Sequence, residues 1–121
     1  MRTRYLIALL CCTLPMLARA DDGIKCKADG NQQQMNACAL DDYRKADKTL
    51  NDRYQALMGT LPAPRQQTLR KEQRAWVKQR DPQCKAATKA NEGGSIWPLE
   101  YYGCLQAATA KRTRALEKWQ R

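Results

Sequence analysis

The sequence predicts an all-α fold: a small, disulfide-stapled bundle of about three helices, the first long and the second kinked near Pro82. Three observations predict it. Apolar side chains recur at spacings of three and four through three long stretches. Two segments rich in glycine and proline separate those stretches. Four cysteines, an even number, follow the first twenty residues. No strand-like alternation and no internal repeat competes with this reading.

The N-terminus reads as a leader rather than as part of the fold. Arg2 and Arg4 give a positive start, Leu6 to Leu17 an apolar stretch, and Ala18-Arg19-Ala20 a small-x-small cleavage signature. The apolar stretch is short for a membrane span, and polar sequence follows at once. Lipid attachment at Cys11 or Cys12 is disfavoured because neither follows the small residue such processing requires. Residues 1–20 are therefore expected to be a cleaved signal peptide and 21–121 a single exported domain, periplasmic or secreted. Cleavage would remove three of the 22 basic residues and none of the 12 acidic ones, leaving 19 against 12 and a net charge of +7. At that length only a modest core is available.

In an oxidising compartment Cys26, Cys38, Cys84 and Cys104 are expected to pair. Three connectivities exist. Cys26–Cys38 and Cys84–Cys104 are favoured because each closes a short segment beside or between helices, contributing roughly 3 kcal/mol apiece by loop closure. The four thiols lack the close C-x-x-C pairs of a zinc site. No metal or cofactor is expected.

Asp21 to Gly30 reads as irregular. From Asn31 the pattern changes: Met35, Ala39, Tyr43, Ala46, Leu50, Tyr54 and Leu57 form one apolar stripe, predicting a helix over about 32–58. Such a helix would run roughly 40 Å at 1.5 Å per residue. Gly59 to Pro64 is a turn. A second helix opens near Pro64 or Arg65, with Leu69, Gln73, Trp76, Val77, Arg80, Cys84 and Ala87 on its inner side. Pro82 has no N–H for the carbonyl of Lys78 and crowds it, so a kink is expected there. Asn91 to Ser95 breaks the chain again. Ser95 or Trp97 is expected to cap a third helix, in whose first turn Pro98 is tolerated and Glu100 suits the helix dipole. Its inner side is traced by Leu99, Tyr102, Leu105, Ala108, Arg112, Leu116 and Trp119.

Several of these segments also carry a recognisable set of words. They are Ala46-Asp47-Lys48-Thr49-Leu50-Asn51-Asp52-Arg53-Tyr54, then the run from Leu69 to Asp81 (LRKEQRAWVKQRD) with Cys84 beyond it. Gly93-Gly94-Ser95-Ile96, Cys104 and Arg112-Thr113-Arg114-Ala115-Leu116 complete the set. Together they resemble the N-terminal domain of the LprI lysozyme inhibitors, formerly a domain of unknown function, over nearly all of residues 21–121. The resemblance implies an exported, helical, cysteine-containing protein that binds or modulates a cell-wall-cleaving muramidase without being an enzyme. The one visible departure is Pro82, where similar sequences continue the helix.

Candidate site residues fall into two groups. Asp47, Asn51, Arg80, Arg112 and Arg114 are expected to form a structural polar network. A carboxylate and a guanidinium facing an apolar seam must find partners, so Asp47 should pair with Arg80, Arg112 or Arg114, while Asn51 satisfies backbone. Arg65, Arg70, Lys71, Arg74 and Lys78 form a candidate binding surface on the second helix. No histidine is present to act as a base near neutral pH, and cross-linked cysteines are not nucleophiles, so catalysis is not expected. Gly93-Gly94-Ser95 lacks a phosphate-loop lysine and reads as a plain loop. The basic surplus favours anionic partners. An alternative reading is therefore an envelope-binding or structural module that contacts peptidoglycan, lipopolysaccharide or a periplasmic protein. Physiological nucleic acid is not expected after export. Animal-type lysozymes are themselves strongly basic, and long-range attraction to them is opposed.

Overall fold

The computed structural model describes residues 23–120; the leader assigned to residues 1–20 and its cleavage point lie outside the described residues. Three helices account for most of them: α1 (Gln32–Met58), α2 (Ala63–Ala87) and α3 (Trp97–Leu116). Single 3₁₀ turns follow at Lys89–Asn91 and Glu117–Gln120, and there is no strand among the described residues.

Each boundary has a local cause. Asn31 caps α1 reciprocally: its side chain accepts from the Gln34 amide at 3.0 Å, and the Gln34 side chain accepts from the Asn31 amide at 3.0 Å. Gly59 ends α1, and Pro62 and Pro64 start α2, where missing N–H groups cost nothing. The second helix runs unbroken through Pro82 to Ala87. Thr88 then closes it, its amide and hydroxyl both donating to the Cys84 carbonyl, at 3.1 and 2.7 Å. α3 differs from expectation at its start. Neither Ser95 nor Trp97 caps it; Ile96 holds the cap position in helical conformation, with no side-chain hydrogen bond. Gly93, with φ at +84°, makes the turn before it, a conformation that glycine adopts without strain.

The helices run up, down and up. At one end the Asn36 amide group donates to the Ser95 carbonyl at 2.8 Å, and the Tyr43 and Tyr102 rings stack 6.1 Å apart, so α1 and α3 are parallel. Their backbones lie close along their length, whereas α2 stands further off. Ala39 and Gly103 line the same recess of about 310 Å³ between α1 and α3. Large side chains of α2, Trp76 and Arg80 among them, fill the wider gap.

The core sits at the α1–α2 turn. Leu50, Leu57, Leu61, Leu69 and Leu116 are buried together, with Tyr54, Met58, Trp76 and Trp119 packed around them. At the other end the structure relies on cross-links. Cys26–Cys38 ties the N-terminal segment to α1, and Cys84–Cys104 joins the end of α2 to α3. Trp97 Nε1 donates to Thr88 Oγ1 at 3.1 Å, fastening the start of α3 to the end of α2. Two residues expected inside, Val77 and Ala87, are exposed instead. Because α2 stands away from α1, only a narrow strip of its surface, marked by buried Leu69 and Cys84, is fully covered.

Candidate functional site

Charge is distributed unevenly among the helices. α1 carries four basic and four acidic residues. Its charges compensate locally: Asp41 with Arg44, Asp42 with Lys45, and Lys48 with Asp52 at 2.6 Å. α2 carries seven basic residues against two acidic ones, Glu72 and Asp81.

Two of those seven, Arg80 and Arg65, turn inward or are tied down. Arg80 is only 10% exposed and bridges the helices. Its Nη1 donates to Asp47 Oδ1 at 3.2 Å and approaches Thr109 Oγ1 at 3.5 Å, while its Nε donates to Asp81 Oδ1 at 2.9 Å. The guanidinium also lies over the rings of Tyr43 and Trp76, at 5.2 and 5.3 Å. Burial disfavours the charge. The Asp81 hydrogen bond, the neighbouring Tyr43 and Asp81 charges and the Asp47 bond outweigh it, so the Arg80 pKa lies above its ordinary value. The same burial raises the Tyr43 phenol, with Arg80 opposing. Arg65 lies at the other end, over Trp119 at 5.2 Å, with its Nη2 donating to the Trp119 carbonyl at 3.3 Å. It thus closes the leucine core and is not part of the same surface as Arg70 to Lys78. Lys85 follows Cys84 and is exposed.

The remaining four, Arg70, Lys71, Arg74 and Lys78, are exposed, and among the described residues none pairs with a carboxylate. Residues four apart on a helix rise about 6 Å, so Arg70, Arg74 and Lys78 form a row about 12 Å long. On one side of the row they share a shallow surface with Gln67, Lys71 and Ala75. On the other they edge an open groove of about 540 Å³ between α1 and α2, shared with Asn51, Tyr54, Gln55, Gln73 and Val77. The row is therefore the crest of a ridge, cationic along its top, with an amide and apolar flank toward α1. Val77, 45% exposed, supplies the apolar part of that flank.

The polar residues expected to form one network separate into two. Asp47 pairs with Arg80, and Asn51 donates to Asp47 Oδ2 at 3.4 Å rather than to backbone. Arg112 belongs elsewhere. Its Nε donates to Gln73 Oε1 at 2.8 Å, and its Nη2, buried without a hydrogen-bond partner, lies 3.9 Å from Glu72 Oε2. Burial pulls its pKa below the ordinary value, partly offset by Glu72. Arg114 is exposed and takes no part in either cluster, because the turn of α3 points it away from α2. Sequence reasoning missed Thr109, which is fully buried and meets Arg80. Its position four residues after Leu105 was the available signal.

Among the described residues no group of three or more potential metal ligands is gathered, and no helix is long and apolar enough to cross a membrane. What the geometry defines is a small, disulfide-stapled helical domain that offers a charged convex edge and open grooves. The chain belongs to the lysozyme inhibitor LprI family, whose pattern it matches over residues 25–116. It is similar to the uncharacterized protein R02472 of Rhizobium meliloti (strain 1021), at 36% identity over 123 aligned positions that cover 91% of this chain and 88% of that one. No solved structure matches it. Two disulfides, together with the family, indicate an extracytoplasmic setting.

Proposed function

We propose that the protein is a periplasmic, non-enzymatic inhibitor of a cell-wall-cleaving muramidase, exported by cleavage after Ala20, and that it presents the α2 ridge to its target. The observation that carries this reading is the row Arg70, Arg74 and Lys78, uncompensated and convex, in a chain that belongs to a lysozyme-inhibitor family. Muramidases of the glycosidase type work with a pair of carboxyl groups flanking the scissile bond in a cleft. A helical ridge bearing cations is shaped to enter such a cleft and meet those carboxylates. Arginine adds two-pronged hydrogen bonding to the charge. The rigidity needed to hold the ridge comes from the Cys84–Cys104 link at one end of α2 and the leucine core at the other.

The test is the clearing of a cell-wall suspension by muramidases of several classes, with and without a micromolar excess of the oxidised protein. Slowed clearing, together with a calorimetric binding signal, is expected for at least one class. No slowing and no heat with any of them would end this reading.

The same four unpaired cations favour a second one, a module retained on anionic envelope polymers. That reading expects binding to peptidoglycan or lipopolysaccharide at low ionic strength and release by salt; no retention at low salt excludes it.

A further inference from the structure

The arrangement of charge on α2 bears on which muramidase is the partner. We infer that the target is an acidic muramidase, one whose cleft rim carries surplus carboxylates, and that the α2 ridge discriminates against the cationic lysozymes. This rests on the inhibitor reading above and narrows it.

Two levels of charge point the same way. Residues 23–120 hold 18 basic and ten acidic side chains. α1 cancels its own charges, and α2 contributes five of the surplus of eight, more than any other element. Exposed charges interact over a screening length of about 8 Å at physiological ionic strength. Neighbouring cations of the ridge lie within that length of one another, so an approaching surface meets them as a group. A cationic enzyme is repelled before its cleft is reached, whereas an acidic one is drawn in and oriented, which raises the association rate. On contact, the amide and apolar flank of Asn51, Tyr54, Gln55 and Val77 supplies area that excludes water around the ion pairs. Catalytic carboxylates alone would not select between the two classes, since both have them. Selection comes from the rim.

The experiment uses the full oxidised protein against two muramidases of opposite net charge, at about 50 mM and about 300 mM sodium chloride. The acidic enzyme is expected to be inhibited at least about tenfold more strongly at low salt, with the advantage shrinking at high salt. The double variant Arg70→Glu, Arg74→Glu alters only exposed side chains, and its fold is checked by circular dichroism. It should lose inhibition of the acidic enzyme while leaving the helical signal intact. An unaffected double variant overturns the inference together with the assignment of the α2 ridge as the contact face. Equal or stronger inhibition of the cationic enzyme, or salt-insensitive inhibition, overturns the inference and leaves the inhibitor reading standing. If neither enzyme is slowed, both fall together.

Discussion

The two ends of the bundle are held by different means. At the α1–α2 turn, Leu50, Leu57, Leu69 and Leu116 are at most 2% exposed and pack under Trp119. At the opposite end few apolar side chains are fully buried. There the joints are the disulfides Cys26–Cys38 and Cys84–Cys104, the Trp97–Thr88 hydrogen bond and the stacked rings of Trp97 and Tyr101, 4.8 Å apart. Burial scales with the area removed from water, and a domain of this length has little area to bury. The difference shows how such a domain divides its needs: one end is closed by a leucine cluster, and the end with fewer buried apolar side chains is closed by covalent bonds.

The strongest way to break the comparison is at the leucine end. Leu69→Ala removes a side chain that is completely buried, and should cost about 2–5 kcal/mol of unfolding free energy in a denaturant titration. A smaller loss would mean that the cross-linked end dominates stability. Replacing both Cys84 and Cys104 by serine opens a loop with a sequence separation of 20, and should cost about 3 kcal/mol. The loss should appear as earlier hydrogen exchange at the end of α2 and the start of α3, while the Leu50–Leu116 region stays protected.

An improvement is also available at the weaker end. A Cβ added at Gly103 meets nothing within 4 Å. Gly103→Ala in the interior of α3 should therefore raise stability by about 0.5–1 kcal/mol, seen as a higher Tm. The smallest effect is alkaline. Burial raises the pKa of both Tyr43 and Tyr101 above the ordinary tyrosine value of 10.0. An acid that holds its proton more tightly when folded contributes stability that is complete below pH 10, and is lost as the pH climbs through the folded pKa. Phenolate absorbance should thus show two tyrosines titrating late, and the unfolding free energy should begin to decline above pH 10.

Most of the fold was legible in the sequence because its signals are local. The first helix spans Gln32–Met58, as its apolar stripe and the Asn31 and Gly59 boundaries indicate. The two cysteine pairs follow from the same segment order. What was not legible depends on distance between helices. Periodicity places Val77 on the inner side of α2, but α2 stands far enough from α1 to leave it open to water. Spacing admits both Ala108 and Thr109 to the inner side of α3, but a threonine reads as polar until the guanidinium of Arg80 is seen beside it. In the site, composition identified the basic cluster on α2, but only the packing separates Arg65, folded against Trp119, from the free row beyond it. Likewise Arg112 and Arg114 look equivalent in the chain, and a 200° difference of direction around the helix sends one toward Gln73 and the other to solvent.

The crest residues 70, 71, 74 and 78 touch neither the leucine cluster nor the crosslinks, and surface replacements of that kind usually shift stability by no more than about 0.5 kcal/mol. If the ridge is the contact face proposed above, its cations can thus change without touching the side chains that hold the fold. A lineage facing an altered adversary is free to rewrite the crest letter by letter, and the scaffold beneath keeps its shape while it does so.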